Sequence, residues 1–440
     1  MPSLVRVQGE TEMPASEAIA EDVVRAVIDP AAYGDGVTAL GAFRTLRSHN
    51  PLGRAELEGV DPFWIVTKHA DILEISRQND LFRSGERSTT FTNREADARV
   101  RQMTGGSPHL VRSLVQMDAP DHPKHRLLTQ SWFLPQNIRR LEDRIRHIAR
   151  EHVDRMAELG GECDFARDIA MTYPLRVIME VLGVPSQDEP RMLRLTQELF
   201  GASDPELNRS GSTAGENPNA MAELQGIIAD FFMYFKGITD DRKASPKGDL
   251  ASVIANGEID GAPISDFEAM SYYVIVATAG HDTTSSSTAG AIWGLCETPG
   301  EFAKLKADPS LIPGLVDESI RWVTPVKHFM RSATAPYELR GRKIAPGDWF
   351  WLAYPSGNRD EEVFDEPDAF RIDRNPNRHL AFGYGAHLCL GQHLAKMEMR
   401  ILWEELIPRL ASVEFAGEPK WAEANFVGGP KRLPIRYRLT

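Results

Sequence analysis

Ten residues near the C-terminus, Phe382-Gly383-Tyr384-Gly385-Ala386-His387-Leu388-Cys389-Leu390-Gly391, constrain this 440-residue chain more than any other stretch. Three glycines in so short a run demand a tight loop with close backbone approach to something else. Gln392 to Leu402 then carry an amphipathic helix pattern. Cys389 therefore precedes a helix N-terminus, where free N–H groups and the positive dipole end lower a thiol pKa and favour the thiolate. The thiolate is the metal-binding form. The other two cysteines, Cys163 and Cys296, have no Gly or His company and read as small packing residues. Three cysteines this far apart make neither a disulfide framework nor a Cys-x-x-Cys metal site, and they fit a reducing cytosol.

Helical patterns dominate the rest. Asn137 to Leu159 places Ile138, Leu141, Ile145, Ile148, Val153 and Met156 at mostly three- and four-residue spacing. Strand-like pieces are short: Phe63–Thr67, Pro336–Arg340, Trp349–Leu352 and Leu433–Tyr437. Gly211–Asn219 reads as a polar loop and residues 1–20 as a flexible N-terminal segment. The longest predicted helix runs from Ser265 to Glu297, opened by a Ser265/Glu268 capping box and closed by Pro299-Gly300. Its middle, Gly280-His281-Asp282-Thr283-Thr284-Ser285-Ser286-Ser287-Thr288, is unfit for a buried helix, because Gly, Ser, Thr and Asp weaken the ladder. Apolar flanks mark the segment as buried all the same, so a functional distortion is expected there.

Lys and Arg total 50 against 63 Asp and Glu, a net charge of −13. An acidic chain is a poor partner for phosphates, so no nucleic acid is expected. No secretory leader and no run of about 18 apolar residues is present, so neither a membrane anchor nor export is expected, and the location reads as cytoplasmic.

The Phe-Gly-x-Gly-x-His-x-Cys-x-Gly pattern resembles the haem-ligand loop of the cytochrome P-450 haem-thiolate monooxygenases, with every fixed position met. The resemblance implies a mainly α protein with a minor β region, one large domain over residues 21–440. It implies haem b as cofactor, dioxygen as co-substrate and Cys389 as the iron ligand. Glu318-Ser319-Ile320-Arg321 resembles the family's Glu-x-x-Arg. Pro367 to Arg374 resembles the segment that adds a second arginine, here Arg374; these three are structural. Ala279-Gly280-His281-Asp282-Thr283-Thr284 resembles the oxygen-binding bend. Asp282 and Thr283 are then the proton-relaying acid and alcohol, and Ala279 and Gly280 leave room at the cofactor. Haem propionates need cationic partners, and the family positions that supply them match His122, Arg126, Arg331 and His387. Phe382, Gly383 and Gly391 join the cofactor-binding set. The texture is closest to the bacterial terpineol-oxidising branch.

Carried over by position, Ile275, Thr278, Ala279, Val326, Phe426 and Val427 face the substrate. Most are apolar, which suits a small to medium hydrophobic substrate, a terpenoid or aromatic hydrocarbon. Residues 83–114 and 195–237 form the channel and lid. Electrons are expected from a ferredoxin and its reductase, docking on a locally basic face of Lys124, Arg139, Arg140, His393 and Lys396. Competing readings are a peroxide-driven haem-thiolate peroxygenase and a non-catalytic haem-based sensor.

Overall fold

Two apolar runs, Phe63-Trp64-Ile65-Val66 and Trp349-Phe350-Trp351-Leu352, are rich in aromatic and branched residues and too short for helices, so they form strands. In the computed structural model, which describes residues 18–201, 203–208, 211 and 219–440, they are β2 (Phe63–Val66) and β6 (Trp349–Ala353). With β1 (Leu52–Ala55), β3 (Phe82–Arg83) and β5 (His328–Ala333) they make a five-stranded sheet ordered β1-β2-β6-β5-β3. The central pair is parallel, with Trp349 opposite Phe63; the other pairs are antiparallel. Phe63, Ile65, Met330, Trp349 and Trp351 face Val24, Val27 and Phe43 of the N-terminal helices. Trp64, Val66, Phe350 and Leu352 face Ile72, Ile75 and Phe82. Burial on both faces is why these runs lack polar alternation.

Predicted strand 433–437 is β8 (Pro434–Leu439), which pairs between β7 (Leu410–Phe415) and β4 (Glu162–Asp164). Predicted strand 336–340 is a small hairpin, Tyr337–Leu339 with Arg342–Ile344.

The helical body packs α1 (His69–Arg77), α2 (Asp121–Gln130), α3 (Glu142–Glu158), α4 (Thr172–Leu182), α5 (Glu189–Phe200), α6 (Ala220–Ala244), α7 (Asp266–Ala279), α8 (Asp282–Glu297), α9 (Ile312–Val323) and α10 (Gln392–Arg409). The single helix predicted over 137–159 is three pieces: a turn at Pro135–Ile138, a 3₁₀ turn at Arg139–Leu141, then α3. Ile145, Ile148, Val153 and Met156 line its buried face against α10. Cys163 and Cys296 pack beside the core, and burial pushes both thiols up to about 12.

The distortion expected within the helix predicted over 265–297 is a break between Ala279 and Asp282, which divides it into α7 and α8. The Ser265/Glu268 capping box is present, and Ser265 Oγ accepts the Glu268 N–H at 3.2 Å. One expectation needs correction: residues 18–20 are not loose. Ala18 bridges to Arg54, and the Ile19 N–H donates to the Arg54 carbonyl at 3.0 Å. Residues 1–17 and 212–218, which carry most of the predicted flexible segment and polar loop, lie outside the described residues.

Among the described residues no helix is long and apolar enough to cross a membrane.

Candidate functional site

The Cys389 loop is held from three sides. Its own backbone closes first: the Gly383 N–H donates to Leu380, the Cys389 N–H to Phe382 and the Leu388 N–H to Gly385, at 2.8, 2.8 and 3.1 Å. Gly383 and Gly385 have φ of 68° and 72°, left-handed conformations that favour glycine. At Gly385 a Cβ would stand 2.1 Å from the Ser76 carbonyl oxygen of α1. The third constraint is a buried ion cluster. Glu318 and Arg321 on α9, both 0% exposed, pair through two hydrogen bonds of 2.7 Å. Arg374 Nε approaches both Glu318 oxygens at 3.2 Å, and the Arg371 N–H and Asn377 side chain also donate to Glu318. Arg321 spends its remaining donors on the carbonyls of Asn358, Pro367 and Ala369. Asn358 Oδ1 in turn accepts, at 2.6 Å, the N–H of Leu380, the residue whose carbonyl closes the loop's first turn. Burial pushes Glu318 up, but the bonds and charge of Arg321 outweigh it and hold the carboxyl below its ordinary value.

Cys389 opens onto a cavity of about 640 Å³. Its thiol corrects an expectation. Burial raises its pKa, and the opposing pull of Gly391, Arg126 and Gln392 does not overcome that. The helix terminus is where it was predicted, with Gly391 as N-cap of α10, but the pull of its backbone N–H groups is the smaller effect beside burial.

His122, Arg126, Arg331 and His387 all line the same cavity. The His122 and His387 rings stand 4.4 Å apart, and His122 Nε2 is buried with no protein partner. Arg126 donates to the Leu388 carbonyl at 2.9 Å, and Arg331 to its neighbour Met330 at 2.8 Å. Burial is the largest cause depressing all four, and for both histidines nearby arginines add to it; His122 falls to about 4. Four cationic or proton-donating groups at one end of a buried cavity fit an anionic cofactor edge, such as a pair of carboxylates, with a thiol ligand beside it.

Ile275, Thr278, Ala279, Gly280, Thr283, Val326, Phe426 and Val427 line the cavity too, as do Phe382, Gly383 and Gly391. The Thr278 hydroxyl is spent on the Val274 carbonyl at 2.7 Å, leaving its methyl for the wall. Thr283 Oγ1 donates to the Ala279 carbonyl at 2.8 Å, so a side chain bridges the break in the ladder. At Gly280 a Cβ would stand 2.8 Å from Ile178 Cδ1, so a larger residue would have to push that side chain of α4 aside.

Asp282 is not brought into this cavity. It lines a separate small pocket with Gln197, Asp204, Ser285, Ser286 and Lys431. Its Oδ2 lies 3.4 Å from Nδ1 of His281, whose Nε2 bonds the Met171 carbonyl at 2.8 Å. Burial would push His281 down, but Asp282 holds it above its ordinary value.

Wall residues the sequence did not single out include Ser88 to Thr92, Leu110, Ile178, Leu224, Ile228 and Phe329. Most fall in the two segments expected to form the channel and lid; Ile178 and Phe329 carry no local signal. Of the five residues expected to make a basic docking face, two cations are already paired. Lys124 bonds Asp260, and Lys396 bonds Asp317 at 2.7 Å. Arg140 lies over the Trp132 ring at 5.4 Å.

Comparison with known proteins agrees with this arrangement. The family model described as Cytochrome P450 matches residues 86–420. The chain is 50% identical to Cytochrome P450-terp of a Pseudomonas species over 97% of its length and 99% of the relative's. It is 32% identical to a steroid C26-monooxygenase of Mycolicibacterium smegmatis, over 92% and 94%. The crystal structure of CYP108D1 from Novosphingobium aromaticivorans superposes with a TM-score of 0.88 at 46% identity, covering 96% of this chain and 100% of that one.

Proposed function

The chain belongs to the cytochrome P450 family of haem-dependent monooxygenases, and from that premise we propose that it hydroxylates a small to medium hydrophobic substrate, a terpenoid or aromatic hydrocarbon. The observation that carries this reading is one cavity that holds a half-buried thiol, two arginines with two histidines, an alcohol and an apolar wall together.

Haem b, the family's cofactor, supplies the activation of dioxygen when bound. Cys389 is the residue that would ligate its iron, and His122, Arg126, Arg331 and His387 would hold its propionates. Phe382, Gly383 and Gly391 shape the loop side; Ala279 and Gly280 keep the opposite side small. Glu318, Arg321 and Arg374 do no chemistry. They fix the height of the loop that carries the thiol.

Thr283 is the alcohol that would hold a proton at its Oγ1 toward the reacting oxygen. Its present bond to the Ala279 carbonyl keeps the hydroxyl beside the helix break. Asp282 is the acid that would restore that proton. Because its carboxylate lies in the second pocket, the transfer needs a side-chain rotation or a water between the two pockets.

Ile275, Val326, Phe426 and Val427, with the methyl of Thr278, make a substrate wall without charge. Among the described residues lining the cavity, Glu398 is the sole carboxylate, and burial pushes it well above its ordinary value. Such walls favour hydrocarbon substrates over ions. The terpenoid assignment draws on the likeness to the terpineol-oxidising branch. Electrons come from a ferredoxin with its reductase, on a face where Arg139, Arg140 and His393 carry the positive charge that Lys124 and Lys396 share with carboxylates. The cytoplasm, where such partners reside, is the proposed location, and residues 21–440 the functional unit.

The test is a carbon-monoxide difference spectrum of the reduced protein followed by a spin-state screen of terpenes and aromatic hydrocarbons. Expected are a thiolate-ligated band, its loss in Cys389→Ser, and product with ferredoxin. A thiolate band that survives Cys389→Ser overturns the ligand assignment. Turnover with peroxide but none with ferredoxin overturns the monooxygenase reading.

A further inference from the structure

Two walls of the substrate cavity come from segments far apart in sequence, Ser88 to Thr92 and Phe426 to Val427. His328, the first residue of β5, stands between them and is 0% exposed. Its Nε2 accepts the Phe91 backbone N–H at 3.0 Å, and its Nδ1 donates to the Asn425 carbonyl at 2.8 Å. The partners dictate the tautomer. A backbone N–H only donates and a carbonyl only accepts, so the proton sits on Nδ1 and the lone pair on Nε2. The ring stacks on Trp351 with centroids 3.6 Å apart and meets Phe426 at 5.6 Å.

The main chain around His328 joins the same two segments. The Met330 N–H donates to the Thr89 carbonyl at 2.8 Å, and the Lys327 N–H to the Phe426 carbonyl at 2.7 Å. The imidazole therefore bridges the gap between two backbone tethers. An apolar side chain there would leave a buried N–H and a buried C=O unpaired, which proteins rarely tolerate.

We infer that His328 is a positioning residue for substrate recognition: as a neutral two-sided hydrogen-bond bridge it sets the spacing between the Ser88–Thr92 wall and the Asn425–Val427 turn. Wall spacing matters because a substrate held by packing is discriminated by displacements of an ångström or less. The functional consequence rests on the monooxygenase reading; the bridge does not. Burial keeps the ring in the required form, lowering its pKa to about 3 against the smaller opposing effect of the Asn425 bond.

Two variants separate the two bonds. His328→Phe keeps an aromatic ring against Trp351 and loses both. His328→Asn keeps a donor near the Nδ1 position and loses the acceptor for Phe91. Amide hydrogen exchange on the protein as purified reads the bridge directly. In His328→Phe, exchange should quicken roughly tenfold, the worth of about one net hydrogen bond, in peptides covering 88–92 and 425–428 together. In His328→Asn the change should be confined to 88–92, so this variant decides the matter if the first does not fold. Unchanged exchange in either segment of the Phe variant, or an equal rise along the whole chain, overturns the inference. Ferric spin-state titration with α-terpineol and p-cymene reads the consequence. Their Kd should rise about tenfold in His328→Phe while the carbon-monoxide thiolate band and the rate at saturation hold. An unchanged Kd overturns the positioning role. If neither probe shifts the wild-type spectrum, the terpenoid reading fails and the exchange result alone decides the bridge.

Discussion

The two sides of the cofactor cavity are built on different physics. The thiol side rests on Glu318, Arg321 and Arg374, where nearly every donor and acceptor is satisfied by another buried group. The substrate side rests on apolar contacts, a broken helix and a few single hydrogen bonds such as those of Thr283 and His328. Charge-assisted networks have one good geometry, whereas apolar walls repack. A metal ligand needs the first property, and a pocket that takes in and releases hydrocarbons needs the second. If this contrast is right, equal insults to the two sides have unequal effects.

The largest effect belongs to Arg321→Ala. It strips a buried carboxylate of its bidentate partner and should cost about 3–5 kcal/mol, with loss of cofactor retention; denaturant unfolding measures it. A loss under about 1 kcal/mol would break the contrast. On the substrate side, Gly280→Ala forces a Cβ against Ile178 and should cost about 1–3 kcal/mol. Ile178→Val should recover part of it, because this wall can repack. Thr283→Ala removes one hydrogen bond and should change stability by about 1 kcal/mol or less. It should nonetheless lower product formed per electron consumed, measured against reductant use.

The smallest effects come from pH, and they have opposite signs. Glu318 is held below its ordinary value of 4.5 in the folded chain. Its contribution is present above that value and is lost as pH falls through the folded pKa. His281 is held above 6.5 by Asp282. Its contribution is present below that value and is lost as pH rises through the folded pKa. Thermal melts across pH should therefore show an acid loss that flattens in Glu318→Gln and an alkaline loss that flattens in Asp282→Asn. Matching slopes in wild type and variants would refute the assignment.

The same contrast explains what could be read in advance. The thiol side was legible because its chemistry forces residue identity: glycine where φ is positive, a carboxylate three residues from an arginine, one cysteine before a helix. The β strands were legible because both faces are buried. The break between α7 and α8 was legible as an anomaly of composition, yet not as a break, because local pattern does not show which carbonyl a threonine hydroxyl will take. The turn of Asp282 away from Thr283 was also hidden: the two open α8 just after a bend whose geometry depends on Met171 and Ile178. The thiol pKa was misjudged because a dipole is visible in sequence and burial is not. His328 gave no signal at all, since its role lies in two backbone groups from other segments.

The close approach of Gly385 to the Ser76 carbonyl has a consequence in time. Ser76 emerges well before Gly385, and contacts so distant in the chain form late because closing a long loop is entropically costly. The seat of the thiol is thus finished only after Gly385 has left the ribosome. Any cofactor loading that needs the completed loop waits until then, and a chain stalled before that point has most of the walls but no floor.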